Sequence, residues 1–233
     1  MVNNTAKATS FSLHFVGLIR QNLYFFVLFI LFILVGGINL IRLEQGDLLL
    51  YFSENRSYEG DLFFKYGTRL GEEWAFIAVL VSFLFIRFRY ALLIPLTGLI
   101  VTLVSFVSKN FFLHPRPSEY YKTLGTLNDI NVVEGVHLVK GLSSFPSGHT
   151  MAGFALFSIT AFLLNQKKGV ALLLFFCALV VGISRIYLAQ HFLKDVYLGA
   201  IMGVLIAMVL YAFQATYPIN KASRIDGSLK FNA

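Results

Sequence analysis

Hydrophobic residues along this chain gather into long uninterrupted blocks separated by polar stretches. Six blocks stand out, at residues 22–41, 73–86, 91–113, 148–164, 170–186 and 192–213. A helix needs about 20 residues to cross a hydrocarbon core of about 30 Å, so these blocks predict six transmembrane helices. The block at 73–86 is the shortest. It has Trp74 at one end and Arg87 with Arg89 at the other, an aromatic anchor and a charged stop. The first block follows a polar segment containing Lys7 and Arg20, but it is too long for a signal peptide and has no small-residue cleavage pattern.

The polar stretches carry structure of their own. Residues 42–72 mix Leu48-Leu49-Leu50-Tyr51-Phe52 and Leu62-Phe63-Phe64 with Glu54, Arg56, Glu59, Asp61, Lys65 and Arg69, a pattern that suits helices lying in the interface. Residues 114–146 are mostly polar, with Gly125, Asn128, Asp129, Asn131, Gly135 and Gly141, and loops of that length are usually functional or mobile. The expected fold is all-α: one integral membrane domain over residues 1–233, a bundle of six transmembrane helices with interfacial helices on the outer side. Tails occupy about 1–21 and 215–233.

Composition agrees with the pattern. Of the 233 residues, 57% are hydrophobic and 13% charged, whereas soluble domains carry roughly 25% charged residues. A single cysteine excludes a disulfide scaffold, and a mean hydropathy of +0.72 excludes a disordered chain and a soluble nucleic-acid binder, despite a net charge of +7. The charge instead sets orientation. The side holding the termini carries nine basic residues, Lys7, Arg20, Arg87, Arg89, Lys167, Lys168, Lys221, Arg224 and Lys230, and one acid, Asp226. The other side carries the remaining ten basic residues with eleven acids. Short turns and tails weigh most in the positive-inside rule, so the termini are expected in the cytoplasm and the protein in a bacterial inner membrane, with its site on the outer face.

Charged groups beside hydrocarbon cost at least a few kcal/mol, so those at span ends point to function. Three clusters lie at outer span ends. Lys109 is followed by Arg116-Pro117; Pro146-Ser147-Gly148-His149 opens the fourth span; Ser184-Arg185 ends the fifth, ahead of His191 and Asp195. Lys109, Arg116 and Arg185 together call for an anion of two or more charges, and phosphate fits guanidinium forks and a lysine point charge. A helix opening at Ser147-Gly148 adds backbone N–H groups, and Gly148 permits close approach. His191 and Asp195, four apart, share a helix face, where the carboxylate can orient the ring and leave one nitrogen free to attack phosphorus. His149 would then protonate the leaving oxygen and later activate water.

These three patterns resemble the signature of the type 2 phosphatidic acid phosphatase superfamily, which also includes vanadium haloperoxidases. Spacing agrees within every motif, and the resemblance covers residues from about Trp74 to Phe213. It implies a phosphohistidine on His191, with Asp195 as its partner and His149 as acid/base. It also implies Lys109, Arg116, Ser147, Gly148 and Arg185 as phosphate ligands, no cofactor, and a lipid phosphate or isoprenoid diphosphate in the bilayer as substrate. The expected activity is hydrolysis of undecaprenyl diphosphate, phosphatidylglycerol phosphate or phosphatidic acid. A lipid A phosphatase, a phosphate-lipid binding or transport protein without turnover, and a lipid phosphotransferase stay open beside it.

Other residues take plainer readings. A metal held by His149, His191 and Asp195 is disfavoured by the three cations around them. His114 is read as a loop residue, the Phe-rich stretches as lipid-facing surface, and Gly36-Gly37, Gly199 and Gly203 as close helix contacts. Lys122, Lys140 and Lys194 are candidates for a second phosphate.

Overall fold

The computed structural model describes residues 15–164, 168–216 and 227–229, and among them no strand occurs. The remainder of both tails lies outside the described residues. Nine α-helices are followed here: α1 (Leu23–Arg42), α2 (Asp47–Glu54), α3 (Tyr58–Gly67), α4 (Glu73–Leu84), α5 (Phe88–Phe112), α6 (Pro117–Leu124), α7 (Gly148–Leu164), α8 (Lys168–Tyr187) and α9 (Leu193–Thr216). Short 3₁₀ turns occupy Thr68–Gly71 and Leu127–Asp129. Residues 15–21, which the sequence reading leaves in the tail, are also helical and bury Leu18 in the core.

Four helices, α1, α5, α8 and α9, are long and apolar enough to cross a membrane, so the protein is multi-pass and integral. The other two expected spans are shorter. At 1.5 Å per residue the 12 residues of α4 rise about 18 Å and the 17 of α7 about 25 Å. The shortness of α7 follows from its place. Nearly every residue from Thr150 to Leu163 is buried, because α7 is the central helix and its neighbours, rather than lipid, surround it. A helix apolar on all faces belongs in such a position.

Close packing on α7 comes from missing side chains. A Cβ on Gly199 would stand 2.7 Å from the Ser147 carbonyl oxygen, and one on Gly203 would stand 2.5 Å from that of Met151. The Gly199-to-Gly203 pair is therefore a backbone contact between α9 and α7 within one chain. Gly36 on α1 leaves room in the same way for the Tyr197 ring, whose hydroxyl donates to the Ile33 carbonyl at 3.2 Å.

The phenylalanines divide in a way the sequence reading does not anticipate. Phe25, Phe26, Phe83, Phe154, Phe162 and Phe175 are buried, and only others such as Phe106, Phe111 and Phe213 face outward. Phe26 stacks on Phe162 with centroids 5.4 Å apart, and Phe25 meets Phe175 edge-on at 5.5 Å. Without water to expel, helices in lipid associate through packing, and interlocked rings supply contact area.

Residues 42–72, expected to hold interfacial helices, fold into α2 and α3. Ser57 caps α3 by accepting from Gly60 N at 3.0 Å, with Glu59 and Asp61 in the first turn. Arg56 pairs with Asp61 at 3.2 Å, Asp61 accepts from the Tyr187 hydroxyl at 2.8 Å, and Arg56 also donates to the Asn131 carbonyl. One polar cluster thus ties α3, the end of α8 and the outer loop together. At the opposite end Phe88 N donates to the Gly227 carbonyl at 2.9 Å and Leu229 N to that of Leu84 at 2.8 Å, docking the carboxy-terminal segment beneath the α4–α5 turn.

Candidate active site

Two helix N-termini meet at one end of the bundle. Phe192 is the N-cap of α9 and Asp195 its third residue, so the carboxylate can curl back over the start of its own helix. Asp195 Oδ2 accepts from Phe192 N at 2.9 Å, which is half of a capping box. The same oxygen accepts from Ser144 Oγ at 2.5 Å and stands 3.3 Å from His191 Nδ1. The expected pairing of His191 with Asp195 is therefore present, but not on one helix face. His191 lies in the turn before α9, where Ala189 adopts φ 52 and both Gln190 N and His191 N donate to the Arg185 carbonyl.

Across this turn sits Arg116, the N-cap of α6, with Pro117 at the first helical position. Its Nη1 lies 3.0 Å from both the Gln190 carbonyl and His191 Nε2, and Ser143 Oγ is 3.4 Å from its Nε. An acceptor at Nδ1 and an obligate donor at Nε2 fix the tautomer: Nδ1 carries the proton and Nε2 the lone pair. His191 is 1% exposed. Burial pulls its imidazole down to about 3, the Asp195 hydrogen bond works against this, and Arg116 and Arg185 add to the fall. The ring is therefore neutral at physiological pH.

The second N-terminus belongs to α7. Ser147 precedes Gly148, and its Oγ accepts from Thr150 Oγ1 at 2.8 Å and, more weakly, from Thr150 N at 3.4 Å. Ser147 N donates to the Asp195 carbonyl at 3.0 Å, which joins the starts of α7 and α9 directly. A Cβ on Gly148 would stand 3.5 Å from Lys109 Nζ, so the lysine at the end of α5 lies over the opening of α7. Arg185 is 7% exposed; its Nη1 donates to Thr68 Oγ1 at 2.7 Å, while its Nε has no hydrogen-bond partner. Lys109 lies within electrostatic reach of Arg116, Arg185 and Asp195, and His149 within reach of Arg185, His191, Lys109 and Arg116. The eight residues singled out in the sequence thus gather around the starts of α7 and α9.

Several residues there carry no sequence signal. Glu72 Oε1 is 3.9 Å from His149 Nε2, a second carboxylate at the site beside Asp195. Ser143 and Ser144 sit directly before the Pro146 motif but match nothing by type. Thr68 is 117 positions from the Arg185 it binds, a separation that only the fold can close. From His149 an apolar groove of about 360 Å³ descends between α4, α5 and α7, lined by Phe76, Pro95, Gly98, Val101 and Ala152.

The sequence profile of the PAP2 superfamily matches residues 88–218. Over 78 residues the chain is 37% identical to phosphatidylglycerophosphatase B of Bacillus subtilis, covering 30% of this chain and 38% of that protein. Over 126 residues it is 31% identical to probable lipid phosphate phosphatase 4 of Arabidopsis thaliana, covering 48% of this chain and 41% of that protein. The chain thus matches only about two-fifths of the length of either relative. Its fold is that of the crystal structure of the first transmembrane PAP2 type phosphatidylglycerolphosphate phosphatase from Bacillus subtilis, with a TM-score of 0.61 at 24% identity over 88% of this chain and 98% of that one. The profile match runs over more than half of the chain and takes in Lys109, Arg116, Ser147, Gly148, His149, Arg185, His191 and Asp195; the chain belongs to the PAP2 superfamily.

Proposed function

We propose that this protein is a membrane lipid phosphatase that hydrolyses a phosphomonoester or diphosphate of a membrane lipid through a phosphohistidine on His191. The observation that carries this reading is the buried His191, with Asp195 on Nδ1 and the Arg116 guanidinium on the Nε2 lone pair where a phosphate would be drawn in. A binding protein has no use for an oriented histidine nucleophile. Phosphate enters beside Lys109, Arg116, Arg185 and the N–H groups of the α7 start. His191 Nε2 attacks phosphorus as the ester P–O bond breaks, and His149 gives its proton to the leaving lipid oxygen. His149 then takes a proton from water, whose oxygen forms the new P–O bond as the P–N bond breaks, releasing inorganic phosphate. Asp195 balances the imidazolium that forms, and the cations carry the charge of the transition state.

The groove below His149 suits the lipid, since the leaving oxygen must face the acid and the chain must remain in hydrocarbon. With α4 and α7 counted beside the four long helices, the chain crosses six times, its tails cytoplasmic and its site at the outer face of a bacterial inner membrane. Phosphatidylglycerol phosphate, phosphatidic acid and undecaprenyl diphosphate are the substrates to compare. In detergent with EDTA, the wild type should release inorganic phosphate from at least one of them and His191→Ala from none. Release by His191→Ala, or loss of wild-type release on chelation, overturns the mechanism.

A further inference from the structure

A second apolar groove lies away from the phosphate pocket. It has a volume of about 410 Å³ and runs between α1 and α8, with Leu28, Val35, Phe176 and Leu179 on its walls. On α1 it extends from Leu28 to Asn39, and on α8 from Phe175 to Ile186. Eleven residues of helix rise about 16 Å, close to half of a hydrocarbon core of about 30 Å. The groove is therefore one leaflet deep, and both walls end beside α2 and the start of α9, at the end of the bundle that holds the phosphate site. There Leu48 and Phe52 of the interfacial helix α2 close over it, with Leu193 and Val196 of α9 behind.

Above this roof the surface becomes polar. A smaller pocket of about 130 Å³ shares Asn39, Leu48 and Leu193 with the groove and adds Glu44, Gln45 and Lys194. Lys194 Nζ donates to Gln45 Oε1 at 2.6 Å and stands 3.4 Å from His114 Nδ1, leaving ammonium protons for a further acceptor. Glu44, on the same rim, is exposed. One cation and one carboxylate stand over a slot the depth of one leaflet, which is the charge pattern opposite to a head group bearing a phosphate and an ammonium.

We propose that this groove and its rim form a binding site for an outer-leaflet phospholipid of the ethanolamine type, held with one acyl chain between α1 and α8, its phosphate on Lys194 and its ammonium on Glu44. Ile186, Leu193 and Val196, which wall the slot, flank the turn bearing His191 and the first turn of α9 bearing Asp195, so the bound lipid braces the scaffold of the phosphate site without entering it.

Retention of added dioleoylphosphatidylethanolamine or dioleoylphosphatidylglycerol by the delipidated full chain in detergent, read by native mass spectrometry, tests this. The wild type should retain one ethanolamine lipid about tenfold more tightly than the glycerol lipid, since a hydrogen bond to a charged group is worth about that factor. Glu44→Gln should abolish the preference, and Val35→Trp should abolish retention of both. Val35 is 58% exposed, so a larger ring there fills the slot without disturbing the core. Saturating orthovanadate should displace nothing, and His191→Ala should retain the lipid even if it is inactive, which separates this site from the phosphatase reading. Retention unchanged by Val35→Trp, equal retention of the two lipids, or displacement by orthovanadate overturns the proposal.

Discussion

Arg116 occupies the lone pair of His191 Nε2 at 3.0 Å, so the nucleophile is covered until an anion draws the guanidinium away. Binding phosphate and uncovering the attacking nitrogen are then one event, because the same fork that releases Nε2 takes the phosphate oxygens. Arg116→Lys keeps the charge but not the fork and should lower kcat/KM by about 100-fold, as loss of a bidentate charged contact does. Ser144 acts one step back. Its hydroxyl shares Asp195 Oδ2 with the imidazole and the Phe192 amide, and Ser144→Ala removes one donor to a buried carboxylate whose Oδ1 already lacks a hydrogen-bond partner. A fall of about tenfold or more in kcat per folded molecule is expected; an unchanged kcat per folded molecule beside a lowered melting temperature would make Ser144 structural. Glu72 faces His149 rather than the nucleophile. Glu72→Gln should slow release from an alkyl lipid phosphate by about 100-fold and barely affect p-nitrophenyl phosphate, whose leaving group needs no proton. Equal effects on both would remove Glu72 from the protonation step.

Helix packing positions these side chains, and the starts of α7 and α9 must stay in register. The Ser147 carbonyl lies where a Cβ of Gly199 would be at 2.7 Å, and Ser147 N is bonded to the Asp195 carbonyl. Gly199→Ala should therefore push the start of α7 off α9 and lower both thermal stability and activity. Gly203→Ala, one turn deeper against Met151 O, should lower stability by a similar amount with a smaller loss of activity among molecules that remain folded. Thermal unfolding beside specific activity distinguishes the two, and identical activity losses would mean that register at Ser147 does not matter. The glycine pair, the α7 start at Gly148 and the gathering of Lys109, Arg116 and Arg185 at one end of the bundle were all legible in sequence, because each rests on a residue type with few physical alternatives at a span end. The burial of Phe25, Phe154 and Phe162 was not, since a lipid-facing ring and a core ring have the same hydropathy. Nor were Thr68, Glu72 and α6, where polar segments acquire meaning only from the helices they fold against.

The ends of the whole bundle differ in kind. One end holds α2, α3, the outer loop and the pocket, stapled by Arg56, Asp61, Tyr187 and Asn131. The other holds the α4–α5 turn with the segment 227–229 beneath it, and Lys168 at the start of α8 over the Tyr24 ring at 4.9 Å. Short basic turns at that second end favour the cytoplasm. In the proposed orientation, the groove between α4, α5 and α7 would let a lipid reach His149 sideways without lifting its chain from hydrocarbon. Sidedness therefore decides which leaflet is processed. In a Cys177→Ser background, Lys140→Cys in the outer loop and Lys168→Cys at the opposite end are both exposed positions suited to labelling. A membrane-impermeant maleimide applied to intact spheroplasts should label the first and leave the second until the membrane is opened. Labelling in the reverse order would place the pocket in the cytoplasm, and the same chemistry would then act on inner-leaflet lipids.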